Sequence, residues 1–350
     1  MNKILSLLIL LFSTSALAQQ LKISAPELIV PPVLNKWKEQ RKFIRSNLIK
    51  ILGDLPPRPA STPVRVLSKE NKGTYWLEKF EFDNGAGAIV PGYLLLPNDG
   101  KAKHPAIYYC HWHGGNYDLG KEEIFQPHHT PEIPADALVK RGYAVIAIDA
   151  YCFGERSGKG PGGKDEIGGA EELSQSKYEL WMGRSLFTMM VRDDLMALEY
   201  LLSRPEINAK NVAATGISMG ATRTWWLMAL DERIKTGVAV GCLTRYQDLI
   251  DGQKLKYHGI YYYVPGILKY FDTEAIISLI APRPMLFMTG DSDPGSPVNG
   301  IKKIEKTVQS VYNLYDTGPQ FQNRIYPNTG HEYTADMWTR MLNWMDERLK

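Results

Sequence analysis

Ser218 stands in Gly216-Ile217-Ser218-Met219-Gly220, with a glycine two residues to either side. An apolar run, Val212 to Thr215, precedes this pentapeptide, and a stretch of helical character, Ala221 to Leu230, follows it. Strand, Gly-x-Ser-x-Gly turn and helix in that order describe a nucleophile elbow. The glycines answer to crowding, because a turn this sharp leaves no room for side chains two residues before and after the serine. The serine itself is forced into an unfavourable backbone conformation with its hydroxyl at the top of the sheet. The positive end of the following helix points at the same place and favours developing negative charge.

A serine hydroxyl is a poor nucleophile until a base takes its proton and an acid holds that base in the right tautomer. Both partners follow in chain order. Pro284 to Gly290 is a short apolar run with the look of a buried strand, and it empties into Gly290-Asp291-Ser292-Asp293-Pro294. The Gly290-x-x-Asp293 spacing favours Asp293 as the acid, with Asp291 as the fallback. Gln322 to Pro327 reads as the last strand, and His331 follows in the turn Asn328-Thr-Gly-His-Glu332. Alone, His331 reads as a surface histidine and the aspartates as turn residues. Their order behind Ser218, each in a loop at the carboxyl end of a strand, is what gives them a role.

An oxyanion needs two convergent N–H donors. The amide of Met219 is one. The loop after the apolar run Ala106 to Cys110, His111-Trp-His-Gly-Gly-Asn116, offers Gly115 as the other, with Gly114 second. His111, His113, His128 and His129 also lie close in sequence, but no carboxylate or cysteine completes a zinc spacing. No metal and no cofactor are expected.

Taken together, these features resemble the α/β-hydrolase superfamily, in its dienelactone hydrolase and acetyl xylan esterase-like branch. Beyond the elbow the resemblance rests on Trp112-His-Gly-Gly-Asn-Tyr117, on Lys140-Arg-Gly-Tyr-Ala-Val-Ile-Ala-Ile-Asp149 with Phe153-Gly-Glu-Arg156, and on Leu279-Ile-Ala-Pro-Arg-Pro284. It covers about 74–350. It implies Ser218 as nucleophile, Asp293 as acid, His331 as base, and Met219 and Gly115 as oxyanion amides. One position departs: acetyl xylan esterases of the multifunctional type usually carry Gln after the serine and glucuronoyl esterases Arg, where this chain has Met219.

The elements around these residues spell an α/β fold. Strand and helix alternate along the chain, which argues for a mostly parallel central sheet with helices on both faces. Asn35 to Leu52 has helical spacing, and Lys79–Phe82 and Ile89–Leu96 flank a hairpin signal at Asp83-Asn84-Gly85. One long amphipathic helix is expected with Met182, Leu186, Met190, Leu195, Leu198 and Leu202 on one side, stopped at Arg204-Pro205. The helix Ala335 to Leu349 follows the last loop. Gly158 to Gly169 holds six glycines and reads as a mobile loop. Tyr246 to Asp272 is an insertion before the acid-bearing strand, rich in tyrosine. Tyr261 and Tyr262 are candidates for stacking on a sugar ring, against the alternative that they pack the insertion onto the core. Trp112 and His258 are further candidate pocket liners.

Met1-Asn-Lys3, the apolar stretch Ile4 to Phe12 and the small residues of Ala16-Leu-Ala18 read as a secretory signal peptide over 1–18, cleaved near Ala18. A packed N-terminal extension would then run over 19–73 and the catalytic domain over 74–350. With 41 basic and 38 acidic residues the net charge is +3, too near neutral to call for nucleic acid. No membrane anchor is expected. Three cysteines, Cys110, Cys152 and Cys242, suit buried thiols, with a Cys110–Cys152 bridge as an option.

The reading that results is a secreted or periplasmic serine esterase that acts through an acyl-enzyme. Its partner is an acylated small molecule or oligosaccharide, in the manner of an acetyl xylan esterase. A prolyl oligopeptidase-type peptidase and a non-catalytic carbohydrate-binding module on the same fold are the alternatives.

Overall fold

The computed structural model describes residues 24–350, so the leader expected over 1–18 lies outside the described residues. Nine strands form one sheet: β1 (Val64–Asn71), β2 (Tyr75–Asp83), β3 (Ile89–Pro97), β4 (His104–Cys110), β5 (Ala144–Ile148), β6 (Ile207–Ile217), β7 (Thr236–Val240), β8 (Met285–Gly290) and β9 (Phe321–Tyr326). Their order is β1-β2-β3-β5-β4-β6-β7-β8-β9. The first three form an antiparallel meander, β3 meets β5 antiparallel, and the rest run parallel. Residues 64–71, within the stretch assigned to the extension, are thus the edge strand of the main sheet.

The helices among the described residues are α1 (Leu34–Ile51), α2 (Pro134–Val139), α3 (Gly168–Trp181), α4 (Leu186–Ser203), α5 (Met219–Leu230), α6 (Tyr246–Asp251), α7 (Thr273–Ser278), α8 (Val298–Leu314) and α9 (Ala335–Leu349). None is long and apolar enough to cross a membrane. The parallel strands β4, β5, β7 and β8 are buried almost throughout, as strands covered by helices on both faces must be, whereas the edge strand β9 carries Gln322, Asn323 and Arg324. Alternate residues go to separate cores. Ala106, Tyr108 and Cys110 of β4 join the face packed by α1, α4, α5, α7 and α8. Ile107 and Tyr109 join the face packed by α2 and α9.

One expected element is broken in two. The apolar pattern from Met182 to Leu202 is not a single helix: α3 ends at Trp181 and α4 starts at Leu186. Gly183 turns the chain between them at φ 76°, a conformation that favours glycine. Ser185 caps α4 by accepting from the Thr188 amide at 3.2 Å, while the Thr188 hydroxyl accepts from the Ser185 amide at 3.1 Å. The break has a second purpose. Asp54 N–H donates to Gly183 O at 3.2 Å, so the chain leaving α1 is stitched to it. The end expected at Arg204-Pro205 is where α4 stops.

The sheet positions the elbow through chain order. From β4 the chain steps to β5 on one side and then crosses to β6 on the other. Open α/β sheets carry their sites in the crevice at such a reversal. The helix that leaves β6, α5, is pinned from behind by a buried ion pair. Arg223 Nε lies 2.9 Å from Asp194 Oδ2 on α4, and its Nη2 meets the other oxygen, which also accepts from Tyr108 OH of β4 at 2.9 Å. Both charged side chains are fully buried. Burial opposes the charge on Arg223, but the Asp194 carboxylate outweighs it and holds the guanidinium charged. Arg223→Met strands Asp194 as a lone buried charge and should cost about 3–5 kcal/mol in urea unfolding. Arg223→Met with Asp194→Leu should return most of that; a double variant as unstable as the single one would refute the account.

Candidate active site

The elbow is built as crowding demands. A Cβ on Gly216 would come 2.3 Å from Cys110 O, and one on Gly220 would come 2.1 Å from the same oxygen. Any other residue at either place would push the turn off β4. Between them Ser218 takes φ 59° and ψ −116°, a strained conformation for a residue with a side chain. The turn is held by Ser218 N–H donating to Val240 O at 2.9 Å, and by Thr222 N–H donating to Ser218 O at 3.0 Å. Ser218 is 8% exposed, so its hydroxyl is at the surface only through the crevice. The Cys242 thiol lies 3.9 Å from it, and burial pushes that thiol up to about 12, which keeps it protonated and a poor nucleophile.

Of the two aspartates after β8, the structure brings Asp293 to His331. His331 Nδ1 lies 2.7 Å from Asp293 Oδ2, and the other oxygen, Oδ1, accepts from the Gly295 amide at 2.8 Å. Asp291 is exposed, with the Ser292 hydroxyl on its oxygen. Burial pushes the Asp293 carboxyl up, but the hydrogen bond and charge of His331 and the Gly295 amide together hold it below the usual carboxylate range. It therefore stays ionised beside the imidazole. Gly241 lies between His331 and Ser218: a Cβ there would stand 3.1 Å from His331 Cε1 and 3.8 Å from Ser218 N.

The oxyanion amides fare differently. Met219 opens α5, where the first N–H groups have no partner within the helix. Gly115 does not offer a free donor as expected, because its N–H is turned onto His113 Nδ1 at 3.1 Å. The four histidines of this region are dispersed among separate contacts. His111 is buried, its Nε2 accepting from Ala150 N–H at 3.0 Å. His113 Nε2 meets Glu172 Oε2 at 2.7 Å, and His128 packs on His129. No group of three or more metal-capable side chains is gathered among the described residues.

Trp112 stands beside the base, its ring 5.9 Å from that of His331 and 3.5 Å from that of His129. Burial lowers the His129 imidazole to about 4, with His128 adding to the effect, so it is neutral at ordinary pH. With Thr130, Ile217 and Tyr333 these residues line a cavity of about 370 Å³ that opens on His331. The insertion reaches the site from the other side. Tyr261 and Tyr262, candidates either for sugar stacking or for packing the insertion, are only 4% and 3% exposed. Tyr261 is stacked on His113 and Tyr262 on His258, and His258 Nε2 lies 2.8 Å from Gly295 O. The rings hold the acid loop and the loop after β4 in place, which corrects the stacking expectation. The glycine-rich segment is likewise tethered: the amides of Gly158, Lys159 and Gly160 all donate to the Glu171 carboxylate at 2.8–3.0 Å. All three cysteines are free, so the Cys110–Cys152 bridge is not formed.

Glu123 escaped the sequence reading. Buried, it accepts from Tyr109 OH at 2.7 Å and from Trp112 N–H at 2.7 Å, and so fixes the start of the loop that faces the nucleophile. No spacing signalled it, since an acidic residue in Lys-Glu-Glu looks solvated.

A family model described as the Abhydrolase family matches residues 15–299. The hydrolase-type protein YtaP of Bacillus subtilis (strain 168) is 37% identical over 271 residues, covering 77% of this chain and 86% of YtaP. A protein of the same organism named as the peptidase YuxL is 22% identical, covering 78% of this chain and 39% of YuxL. Among solved structures, a glucuronoyl esterase from Solibacter usitatus superposes with a TM-score of 0.66 at 16% identity, over 93% of this chain and 99% of that one. Acetyl xylan esterase 1 from Thermoanaerobacterium sp. JW/SL YS485 gives 0.55 at 17% identity, over 88% and 94%. At such identities the likeness is one of fold.

Glu123 sets a testable pH dependence. Burial raises its carboxyl from the ordinary 4.5 to about 7, against the hydrogen bonds of Tyr109 and Trp112. The folded chain then holds a proton that the unfolded chain releases, so stability is full below the unfolded value and falls as pH climbs from about 4.5 to about 7. The loss is on the order of 3 kcal/mol. Glu123→Gln should flatten this slope when urea midpoints are compared at pH 5 and pH 8; an unchanged slope would assign it to another group.

Proposed function

The chain belongs to the Abhydrolase family, and on that premise we propose that it is a secreted serine esterase that removes acyl groups, acetyl above all, from a carbohydrate. The observation that carries the reading is the 2.7 Å contact between His331 Nδ1 and Asp293 Oδ2, set across Gly241 from a serine on a strained elbow. With Nδ1–H given to Asp293, Nε2 is left with its lone pair free to act as base. Ser218 Oγ attacks the ester carbonyl carbon and its proton passes to His331 Nε2. The carbonyl oxygen carries the negative charge of the tetrahedral adduct, against the Met219 amide and the positive end of α5. The C–O bond to the alcohol breaks, His331 returns the proton to the leaving oxygen, and water repeats the sequence to release the acid. Gly115 can supply the second oxyanion donor once its N–H leaves His113 Nδ1.

Support for a carbohydrate ester comes from the shared fold with an acetyl xylan esterase and a glucuronoyl esterase. The cavity on the Trp112 side of His331 is small, about 370 Å³, which suits a short acyl group. The leader expected at 1–18 supports a location outside the cytoplasm. Residues 24–73 and 74–350 act as one catalytic unit, since β1 and α1 both pack into the main body.

Activity is to be measured on nitrophenyl acetate, acetylated xylan, a methyl glucuronate ester and a prolyl amide, with acetyl esters turned over best. Good turnover of the prolyl amide alone would move the assignment to a peptidase, and none on any substrate would leave a binding module. Ser218→Ala should lower kcat by about a thousandfold or more with the fold intact, and a fluorophosphonate should label Ser218. Labelling of another serine would displace it as nucleophile.

Asp293→Asn should cost a comparable factor, because the amide cannot hold His331 in the working tautomer, whereas Asp291→Asn should be nearly silent. The reverse ranking in kcat/KM would show that the 2.7 Å contact does not carry the chemistry.

A further inference from the structure

A second cavity, of about 500 Å³, lies between the glycine-rich loop, α3 and the β2–β3 turn, and shares no lining residue with the one beside His331. Its size falls within the range of small-molecule sites. Its walls are not those of a packing defect. Arg156 lines it and is only 4% exposed. One arm of its guanidinium is spent: Nη1 donates to Asp193 Oδ2 at 2.9 Å and to Asp149 O at 3.1 Å. The other, Nη2, is buried with no partner among the described residues. A donor left like this costs about 1–3 kcal/mol unless something in the cavity accepts from it. Gln175, also buried, lines the same space. Its amide nitrogen is committed to Glu179 Oε1 at 2.7 Å, which leaves its carbonyl oxygen as an acceptor toward Gly160.

The charges are balanced. Arg156 is neutralised from behind by Asp193, which is itself held by Asn84 Nδ2 at 3.0 Å. Glu171 is saturated by the three loop amides, and Glu179 by Gln175 and by Arg184 Nε at 2.5 Å. Lys159 also lines the cavity and is opposite in sign to Glu171, so its walls carry both signs. A buried donor, an acceptor and the ring of Tyr178 there match a ligand that both donates and accepts and carries no charge. An anion would face Glu171 and Glu179 as well as Lys159.

The place matters as much as the chemistry. The cavity lies at the carboxyl end of β5, where Tyr151 and Cys152 leave the strand. Ser218 lies at the carboxyl end of β6, with β4 between the two. Two strand spacings are about 10 Å. We propose that this cavity binds a neutral, hydroxyl-rich sugar unit, and that it does so for the saccharide whose ester is cut at Ser218. The second half rests on the esterase reading; the binding does not.

Calorimetric titration of the whole protein with xylobiose and with cellobiose, and with glucuronic acid as the anionic counter-probe, tests this. At least one neutral disaccharide should bind, and glucuronic acid should bind about tenfold more weakly or worse. Gln175→Leu removes the acceptor and should weaken the disaccharide by about tenfold. Ala88→Phe narrows the opposite wall without touching a polar group. It should abolish the disaccharide signal while nitrophenyl acetate hydrolysis stays within about twofold of the unaltered protein. Disaccharide binding untouched by Ala88→Phe, preference for glucuronic acid, or no binding beside normal ester hydrolysis would each overturn the proposal. Disaccharide binding that Ala88→Phe abolishes, in a protein inert toward every ester, would sink the esterase reading and leave the sugar site standing.

Discussion

The carbonyl oxygen of Cys110 occupies the one point on which the site turns. Two glycines of the elbow approach it from either side, and neither could carry a methyl group there. That contact makes the end of β4 and the turn after β6 a single rigid piece. The strain at Ser218 persists because its surroundings over-determine it. The turn is fixed in front by Cys110 O, behind by the Arg223–Asp194 pair, and laterally by the ladder to β7. The positive end of α5 and the loop after β4 are thus aimed at one place without any side chain having to bind there first.

The same economy holds around the base. His331 and Asp293 sit on loops, which would wander if left alone. Asp293 is tied to the tyrosine-rich insertion through buried rings, and His331 through Asp293: Tyr262 on His258, His258 on Gly295 O, Gly295 N–H on Asp293, and Asp293 on His331. Tyr261 continues the chain of contacts to His113 and the loop that faces the nucleophile. The insertion is therefore a brace that couples the acid to the other wall of the crevice. Its rings contribute buried apolar area.

What could be read in the sequence was whatever depended on local chemistry. The elbow was legible because its glycines, serine and flanking periodicities sit within about twenty residues. Asp293 was legible over Asp291 from spacing alone, and α9 from its period. What depended on long-range packing was not. The 182–202 pattern stays apolar in phase across Gly183, and that periodicity outweighed the local stop at Gly183 and start at Ser185, the break that Asp54 exploits. Tyrosines in a loop look like ligands until the fold shows their faces taken. The burial of Glu123 and the contacts of Arg156 had no local signal, because their partners, Trp112 and Asp193, lie 11 and 37 residues away. The direction of the Gly115 N–H was not legible either, because it is set by the backbone torsions of the loop, with φ 72° at Gly115.

The chain order has a kinetic corollary. Ser218 and His331 are 113 residues apart, and the strands between them pair in parallel, so no short hairpin can bring the two together. Closing a loop of that length costs about 4 kcal/mol of chain entropy beyond any constant term. The early meander β1–β3 pairs through near neighbours and carries no such cost. Assembly is thus polarised along the polypeptide. A chain whose meander has already condensed still lacks His331, which follows the last strand crossing. Until β9 pairs, the half-built sheet presents β8 as an open edge, a state exposed to self-association.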